Sequence, residues 1–129
     1  MYGQTSYVAF RTFVGIDPKA QYDRLIANGR KQDPVRGTPE EIDFEPVVKL
    51  FNPAGLGTWL LTELDPECPD IAFGLCDLGY PELRSVSISE LESVRSPIGL
   101  GIERARHWTA KKTLMAYARE ASAAGRIVT

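Results

Sequence analysis

Residues 46–88, PVVKLFNPAGLGTWLLTELDPECPDIAFGLCDLGYPELRSVSI, decide the fold of this chain. They contain four short runs of β-branched, aromatic and other apolar residues, separated by turns rich in Pro, Gly, Asn and Asp. Such runs are typical of strands, and such separators are typical of turns. The connections suit antiparallel neighbours, because a parallel crossover needs a dozen residues or more. The stretch predicts a sequential antiparallel β-meander with strands at 46–51, 58–64, 71–77 and 82–88.

Alternation along the second and third strands predicts which side chains share a face of the sheet, because successive strand residues point to opposite faces. Trp59, Leu61 and Glu63 are predicted on one face of the second strand, and the residues between them on the other. On the third strand, Phe73 and Asp77 are predicted to share a face. One face is then apolar and the other mixed, which predicts that helices cover one side of the sheet.

The segment before the meander carries signals for a helix over residues 18–28. Asp17 is a good N-cap residue, and Pro18 suits the first helical position. The pair Asn28-Gly29 is typical of a left-handed helix end.

Two further helices are predicted after the meander. Ser89 and Glu92 have the spacing of a capping box, which predicts a short helix after the fourth strand. Thr109 is predicted to cap a last helix over residues 110–124, which ends at Gly125.

These elements predict one α+β domain over residues 1–129, a β-meander of four to five strands packed with an N-terminal and a C-terminal helix. Residues 102–108 are predicted as the fifth, edge strand. Residues 7–14 have strand-like composition, and residues 1–12 are predicted to be an additional strand or tail. Residues 30–45 are polar and punctuated by Pro and Gly, which predicts a surface loop.

The overall composition narrows the function classes. The 129 residues are 43% hydrophobic and 25% charged, close to the average of folded domains. A net charge of −2 does not favour a polyanion-binding surface. No apolar run is long enough to span a bilayer, and the first residues lack the basic start and apolar stretch of a signal peptide. We therefore predict a cytoplasmic protein with no membrane partner.

Metal and thiol chemistry has few side chains available. The chain contains two cysteines, Cys68 and Cys76, and one histidine, His107, whereas a structural zinc site usually takes four such ligands. A disulfide between the two cysteines is disfavoured in a reducing compartment. The sequence predicts no metal and no cofactor.

The densest polar feature is a group of carboxylates around the second and third strands. Glu63 and Asp77 can share a divalent cation, or act as a general acid and base, if the fold brings them together. The alternative is that the aspartates of the intervening Pro-rich turn serve turn geometry alone. The group consists of Glu63, Asp65, Glu67, Asp70, Asp77 and Glu82.

The segment IERARHW at residues 102–108 places the single histidine near charged groups. In an extended strand, Glu103 and His107 share a face, and such a pair can transfer protons. No serine lies in a Gly-x-Ser-x-Gly nucleophile motif. The alternative is a junction between strand and helix that is held by ion pairs, and no catalytic residue is predicted.

Charge is unevenly distributed along the chain. Residues 63–92 contain eight acids and one base, and residues 95–119 contain six bases and one acid. One interpretation is a nucleic-acid site in which cations contact phosphates and an indole stacks on a base. The alternative is that the two segments neutralise each other across the fold. The candidate nucleic-acid residues are Arg104, Arg106, Lys111, Lys112 and Trp108.

Several short motifs resemble an uncharacterised domain family that is common in proteins of plasmids, phages and other mobile elements of bacteria. The family shares Thr-Trp-x-x-Thr-Glu-x-Asp, then Phe-Gly-Leu, then Pro-Glu-Leu-Gly-Tyr, then Ile/Val-Glu-Arg-Asp. The resemblance covers about residues 13–121 and rests on TWLLTELDP, AFGLCDLG, PEL, SISEL and ERARHW. This chain departs from the family at Arg84-Ser85, where Gly-Tyr is usual, and at Ala105, where Asp is usual.

The resemblance implies mobile-element biology but no established activity. We therefore predict an accessory protein that acts by binding a protein partner, in counter-defence or plasmid maintenance. One alternative is a metal-dependent enzyme that uses Glu63, Asp77 and Glu103. The other is a nucleic-acid binder that uses the basic residues around Trp108. The candidate functional residues are Glu63, Asp77, Glu82, Glu103, Arg104 and His107.

Overall fold

The computed structural model describes residues 19–129, which form an α+β fold around one five-stranded sheet. The predicted strand and tail within residues 1–14, and the predicted caps Asp17 and Pro18, lie outside the described residues. The elements are α1 (Lys19–Gln32), a 3-10 turn (Asp33–Val35), β1 (Val48–Phe51), β2 (Thr58–Leu64), β3 (Ile71–Asp77), β4 (Pro81–Ser87), α2 (Ile88–Ser93), β5 (Glu103–Arg104) and α3 (Leu114–Ala124).

The sheet confirms the predicted antiparallel meander. Its strand order is β4-β3-β2-β1-β5, and every neighbouring pair is antiparallel. The second and third strands occupy the predicted ranges, and the first and fourth differ from theirs by two residues or fewer. The fifth strand is much shorter than predicted, with two residues instead of seven.

Helices cover both faces of the sheet, so the prediction that they cover one side was wrong. One face carries Trp59, Leu61 and Leu64 and packs against α1 and α2 through Leu25, Leu91 and other apolar residues. The opposite face carries Leu60 and Leu75 and packs against α3 through Leu114, Tyr117 and Ala121. The sequence did not predict packing on the mixed face, because the apolar residues that cover it come from the distant C-terminal helix.

The first helix continues to Gln32, four residues beyond the predicted end. Asn28 and Gly29 do not end it, since Gly29 does not adopt the left-handed conformation, and both residues contact the sheet instead. Asn28 Nδ2 donates to the Thr62 carbonyl at 2.9 Å. Gly29 lies so close to β2 that a Cβ there would stand 1.9 Å from the Leu64 carbonyl oxygen. The glycine therefore permits a close approach of helix and strand.

A β-bulge in β2 changes the face on which Glu63 lies. The register pairs Leu61 with Gly74 but Glu63 with Phe73, so Thr62 is the additional residue. After the bulge, Glu63 shares the face of Phe73, and Leu64 joins the face of Leu61. The predicted grouping of Glu63 with Trp59 and Leu61 was therefore wrong. The bulged Thr62 carbonyl is the acceptor of the α1 contact just described.

The later helices begin at caps other than those predicted. Ser87, not Ser89, is the N-cap of α2 and accepts from the Glu90 amide. Thr113, not Thr109, caps α3, which ends as predicted at Gly125 with φ of 78°. None of the helices within residues 19–129 is long and apolar enough to cross a membrane.

Asp70, from the Pro-rich turn, holds the start of α2. Its carboxylate accepts from the Ser87 hydroxyl at 2.6 Å, the Ser89 amide at 2.9 Å and the Ser89 hydroxyl at 2.9 Å. We expect Asp70→Ala to lower the free energy of unfolding by about 1–3 kcal/mol, because it leaves these donors without their acceptor. Urea denaturation measures the change, and Glu67→Ala, an exposed site on the same turn, is the matched control. Equal stability of both variants would contradict this role.

Candidate functional site

Glu63 lies at a pocket of about 620 Å³ on the α3 face of the sheet. Strands β2, β3 and β4 form its floor through Glu63, Phe73 and Ser85. The segment after the 3-10 turn and the start of α3 form its walls. The walls contribute Arg36, Glu41, Ile42, Asp43, Phe44, Leu114 and Met115.

The Glu63 carboxyl is buried and only half partnered. Its side chain is 4% exposed, and Oε1 accepts from Arg36 Nη1 at 3.5 Å. Oε2 has no hydrogen-bond partner among the described residues. Burial raises the pKa of Glu63, and the nearby Arg36 charge opposes that rise. The pocket thus contains an acid that needs a donor or a positive charge.

The wall segment is held in place by its own polar residues. The Gln32 side-chain amide exchanges two hydrogen bonds of 2.8 Å with the Ile42 backbone. Asp43 Oδ1 accepts from the Met115 amide, and the Phe44 carbonyl accepts from the Leu114 amide. The segment therefore connects the end of α1 to the beginning of α3 and gives the pocket a defined shape.

Strand β4 forms an open edge of the sheet beside this pocket. Among the strands of the described part of the chain it is the last on its side of the sheet, and the four residues 82–85 are exposed. The Ile88 amide donates to the Asp70 carbonyl, which identifies the hydrogen-bonded pairs of the β3–β4 ladder. Because such pairs alternate, the amides of Leu83 and Ser85 point away from β3. Pro81 occupies another outward position, where its missing N–H is not needed by the ladder.

A second pocket lies on the opposite face of the same edge strand. It has a volume of about 380 Å³ and lies between β4 and α2. Its lining is largely apolar and includes Trp59, Cys76, Val86 and Leu91. Burial raises the pKa of the Cys76 thiol to about 12, so this cysteine is not a nucleophile at neutral pH. Edge strand β4 thus has a pocket on each side of its pleat.

Two neighbouring hairpin turns form an exposed apolar tip at one end of the sheet. Leu56, Leu78 and Tyr80 are 73%, 57% and 76% exposed. Leu56 Cδ1 lies 3.8 Å from the position of a Cβ at Gly79, so the two turns are in contact. This tip was not predicted from the sequence, because the two turns were interpreted only as connections between strands. Large apolar residues inside Gly-rich turns were the available signal.

The three carboxylates of the proposed metal enzyme do not meet. Glu63 and Asp77 share a face, but four strand residues, about 13 Å, separate their rows. Asp77 accepts from the amides of Gly79 and Ile127. Glu103 lies in the Asp77 row on the far strand β5, about 14 Å away. Within residues 19–129, no group of three His, Cys, Asp or Glu side chains is arranged to hold a metal ion.

Other carboxylates of the predicted cluster have structural partners. Asp65 Oδ1 accepts from the Glu67 amide within its turn, as the turn interpretation expected. Glu82 pairs with Arg84 at 3.2 Å on the exposed edge strand. Within this cluster of six carboxylates, only Glu63 is buried, has an oxygen without a hydrogen-bond partner among the described residues and lines a pocket.

The candidate nucleic-acid residues are divided between the two faces of the sheet. Arg104 points to α1, where Nη1 donates to Gln21 Oε1 at 3.2 Å, and burial lowers its pKa. Trp108 packs on the opposite face with its ring centroid 6.0 Å from that of Tyr117. The prediction of one extended strand over residues 102–108 was therefore wrong, because the strand ends at Arg104.

Of the remaining basic residues and the histidine, Lys112 is paired and the others are exposed. Lys112 Nζ binds Glu120 at 2.7 Å and lies 5.1 Å from the centre of the Tyr117 ring. Arg106, His107 and Lys111 are exposed around the turn after β5. Nucleic-acid binding and proton transfer at His107 stay predictions.

Comparison with known proteins adds a family but no activity. The family described as "Protein of unknown function (DUF2958)" matches residues 17–128. No curated protein and no solved structure matches the chain.

Proposed function

The chain belongs to the DUF2958 family of proteins of unknown function, and we propose that it acts by binding a protein partner along edge strand β4. It would do so as an accessory protein of a mobile genetic element, in the cytoplasm of the host. The motif resemblance described above supports that setting, and counter-defence or plasmid maintenance are the roles that it suggests.

The observation that carries this proposal is the open edge with a pocket on each side. The Leu83 and Ser85 amides point outward, and no strand of residues 19–129 lies beside them, so an extended segment can pair with them. Successive side chains of an added strand would point alternately into the pocket at Glu63 and the pocket at Trp59. Backbone pairing supplies affinity in such complexes, and the pockets supply specificity.

The apolar tip supports a protein as the partner. Leu78 belongs both to the tip and to the lining of the second pocket, so tip and edge form one continuous surface. Exposed apolar patches of this kind mark interaction sites on soluble domains. Tyr80 is of the residue class that is enriched in protein interfaces.

A proline substitution tests the role of the edge backbone. Ser85→Pro removes one outward N–H but no ladder hydrogen bond, so we expect the variant to fold. Ser85→Ala keeps the N–H and changes only the side chain. Tagged wild type and both variants are used to capture proteins from a lysate of host cells that carry the encoding element. We expect one stoichiometric protein with wild type and with Ser85→Ala, and at least about a tenfold loss with Ser85→Pro.

Two results would contradict the proposal. One is the absence of any stoichiometric protein with the wild type. The other is equal capture by Ser85→Pro when circular dichroism and thermal melting show that this variant is folded. Size-exclusion chromatography with light scattering identifies the remaining occupant, a second copy of this chain paired edge to edge.

A further inference from the structure

We infer that the pocket at Glu63 holds an arginine side chain of the strand that adds to β4. This inference rests on the proposed function, because the arginine belongs to the partner's extended segment. It names the chemistry by which that partner is recognised.

The sheet register fixes where the arginine has to lie. Ser85 pairs with Phe73, and Phe73 pairs with Glu63, so the three residues form one row on one face. A partner residue opposite Ser85 continues this row on the same face. Three strand spacings then separate its Cα from that of Glu63, about 14 Å. Arginine, the longest side chain, reaches farthest across that distance toward the glutamate's own side chain.

The charge inside the pocket selects a cation. Glu41, Asp43 and Glu63 line it, and Arg36 is the only basic residue in its lining among those that the structure describes. Asp43 and Glu41 each accept a backbone amide, whereas Glu63 Oε2 has no partner among the described residues. Leaving a buried carboxylate oxygen unpaired is costly, so a donor that reaches it gains binding energy.

A guanidinium suits this pocket better than an ammonium. It offers five donors in a planar fork and is more weakly hydrated, which favours it in buried ion pairs. The aromatic rings of Phe44 and Phe73 line the same pocket, and guanidinium groups stack on such faces. Arginine is therefore the side chain that this pocket favours.

Arg36 occupies part of the site in the free protein. Its Nη1 lies 3.5 Å from Glu63, whereas its Nη2 lies 2.9 Å from Asp33. The side chain is 46% exposed, so it can move outward without losing its closer partner. Glu63 Oε2 is shielded from solvent, so the partner's arginine would reach it only after the pocket side chains, Arg36 among them, move outward. Arg36 is thus a weak internal competitor for the partner.

Two peptides that differ only in the terminal group of one side chain test the inference. The probes are acetyl-Thr-Val-Arg-Val-Thr-amide and the same peptide with citrulline, which is uncharged and nearly isosteric, in place of arginine. The valines are chosen for the apolar pocket on the other face of β4. Titration into ¹⁵N-labelled protein is followed by amide shifts. We expect the arginine peptide to bind about tenfold more tightly than the citrulline peptide.

Variants of the pocket separate recognition from mere folding. In Glu63→Gln we expect the preference for arginine over citrulline to disappear, although the variant remains folded. In Arg36→Gln we expect the arginine peptide to bind severalfold more tightly than to wild type, because the competitor is gone. If the Glu63–Arg36 pair had only a structural role, both substitutions would change the affinity for the arginine peptide in the same direction.

Equal affinity for the two peptides, an arginine preference that survives Glu63→Gln, or no saturable shift with either peptide would overturn the inference. These results are distinct from failure of the proposed function. If Ser85→Pro loses capture but Glu63→Gln captures the partner like wild type, the proposal of strand addition stands and the recognition of arginine is contradicted. If Ser85→Pro itself captures normally, the proposed function falls.

Discussion

Gly29→Ala lowers the free energy of unfolding by about 2 kcal/mol or more, although alanine in place of a mid-helix glycine normally adds about 0.5–1 kcal/mol. The sign is reversed because the new Cβ would stand 1.9 Å from the Leu64 carbonyl oxygen. That oxygen belongs to backbone and cannot turn aside as a flexible side chain can. The helix must therefore move away from β2, which disturbs the contact of Asn28 with the Thr62 bulge. Urea denaturation measures the change.

Gly55→Ala is the matched control for this substitution. A Cβ at Gly55 meets nothing nearer than Asn52 Nδ2 at 3.8 Å, and its φ is not in the left-handed region. We expect its stability to stay within about 0.5 kcal/mol of wild type. A Gly29→Ala protein as stable as wild type would contradict the close packing of α1 on β2.

Glu63→Gln makes the protein more stable than wild type at pH 8, by about 1 kcal/mol, and the difference narrows toward pH 5. Burial raises the pKa of Glu63 in the folded state above its value in the unfolded chain. The stability that this proton contributes is fully present below the unfolded pKa and is lost as the pH rises through the folded pKa. The glutamine side chain of the variant does not titrate, so the variant does not lose this stability as the pH rises.

Urea denaturation of both proteins at pH 5, 6, 7 and 8 measures this dependence. The other charges that act on the Glu63 carboxyl, which belong to Arg36, Asp33 and Glu41, are present in both proteins. The difference between the two curves therefore reports on Glu63 alone. Parallel curves would contradict a raised pKa of Glu63 in the folded protein.

The sequence predicted the central strands well because their signals are local. β2 and β3 are apolar runs bounded by Pro, Asp and Gly, and no distant residue is needed to define them. The bulge at Thr62 is different, since its carbonyl accepts from Asn28 of another element, a contact that no local pattern indicates. A bulge shifts alternation by one residue, so the predicted face of Glu63 was inverted.

The site was less predictable than the fold. Glu63 was singled out from the sequence, but its pocket is built from segments around residues 36–44, 83–85 and 114–115 that only the fold brings together. The edge strand was predicted, yet strand order decides that β4 rather than β1 is the open edge with pockets on both faces. Composition alone carries no information on that order.

Amide hydrogen exchange reports directly on whether a protein partner adds a strand to β4. In the free protein, we predict fast exchange for the outward amides of Leu83 and Ser85 and slow exchange for those of Arg84 and Val86, which face β3. In the complex with the captured partner, Leu83 and Ser85 should become protected as well. Protection elsewhere on the protein, with these two amides still exchanging fast, would contradict the claim.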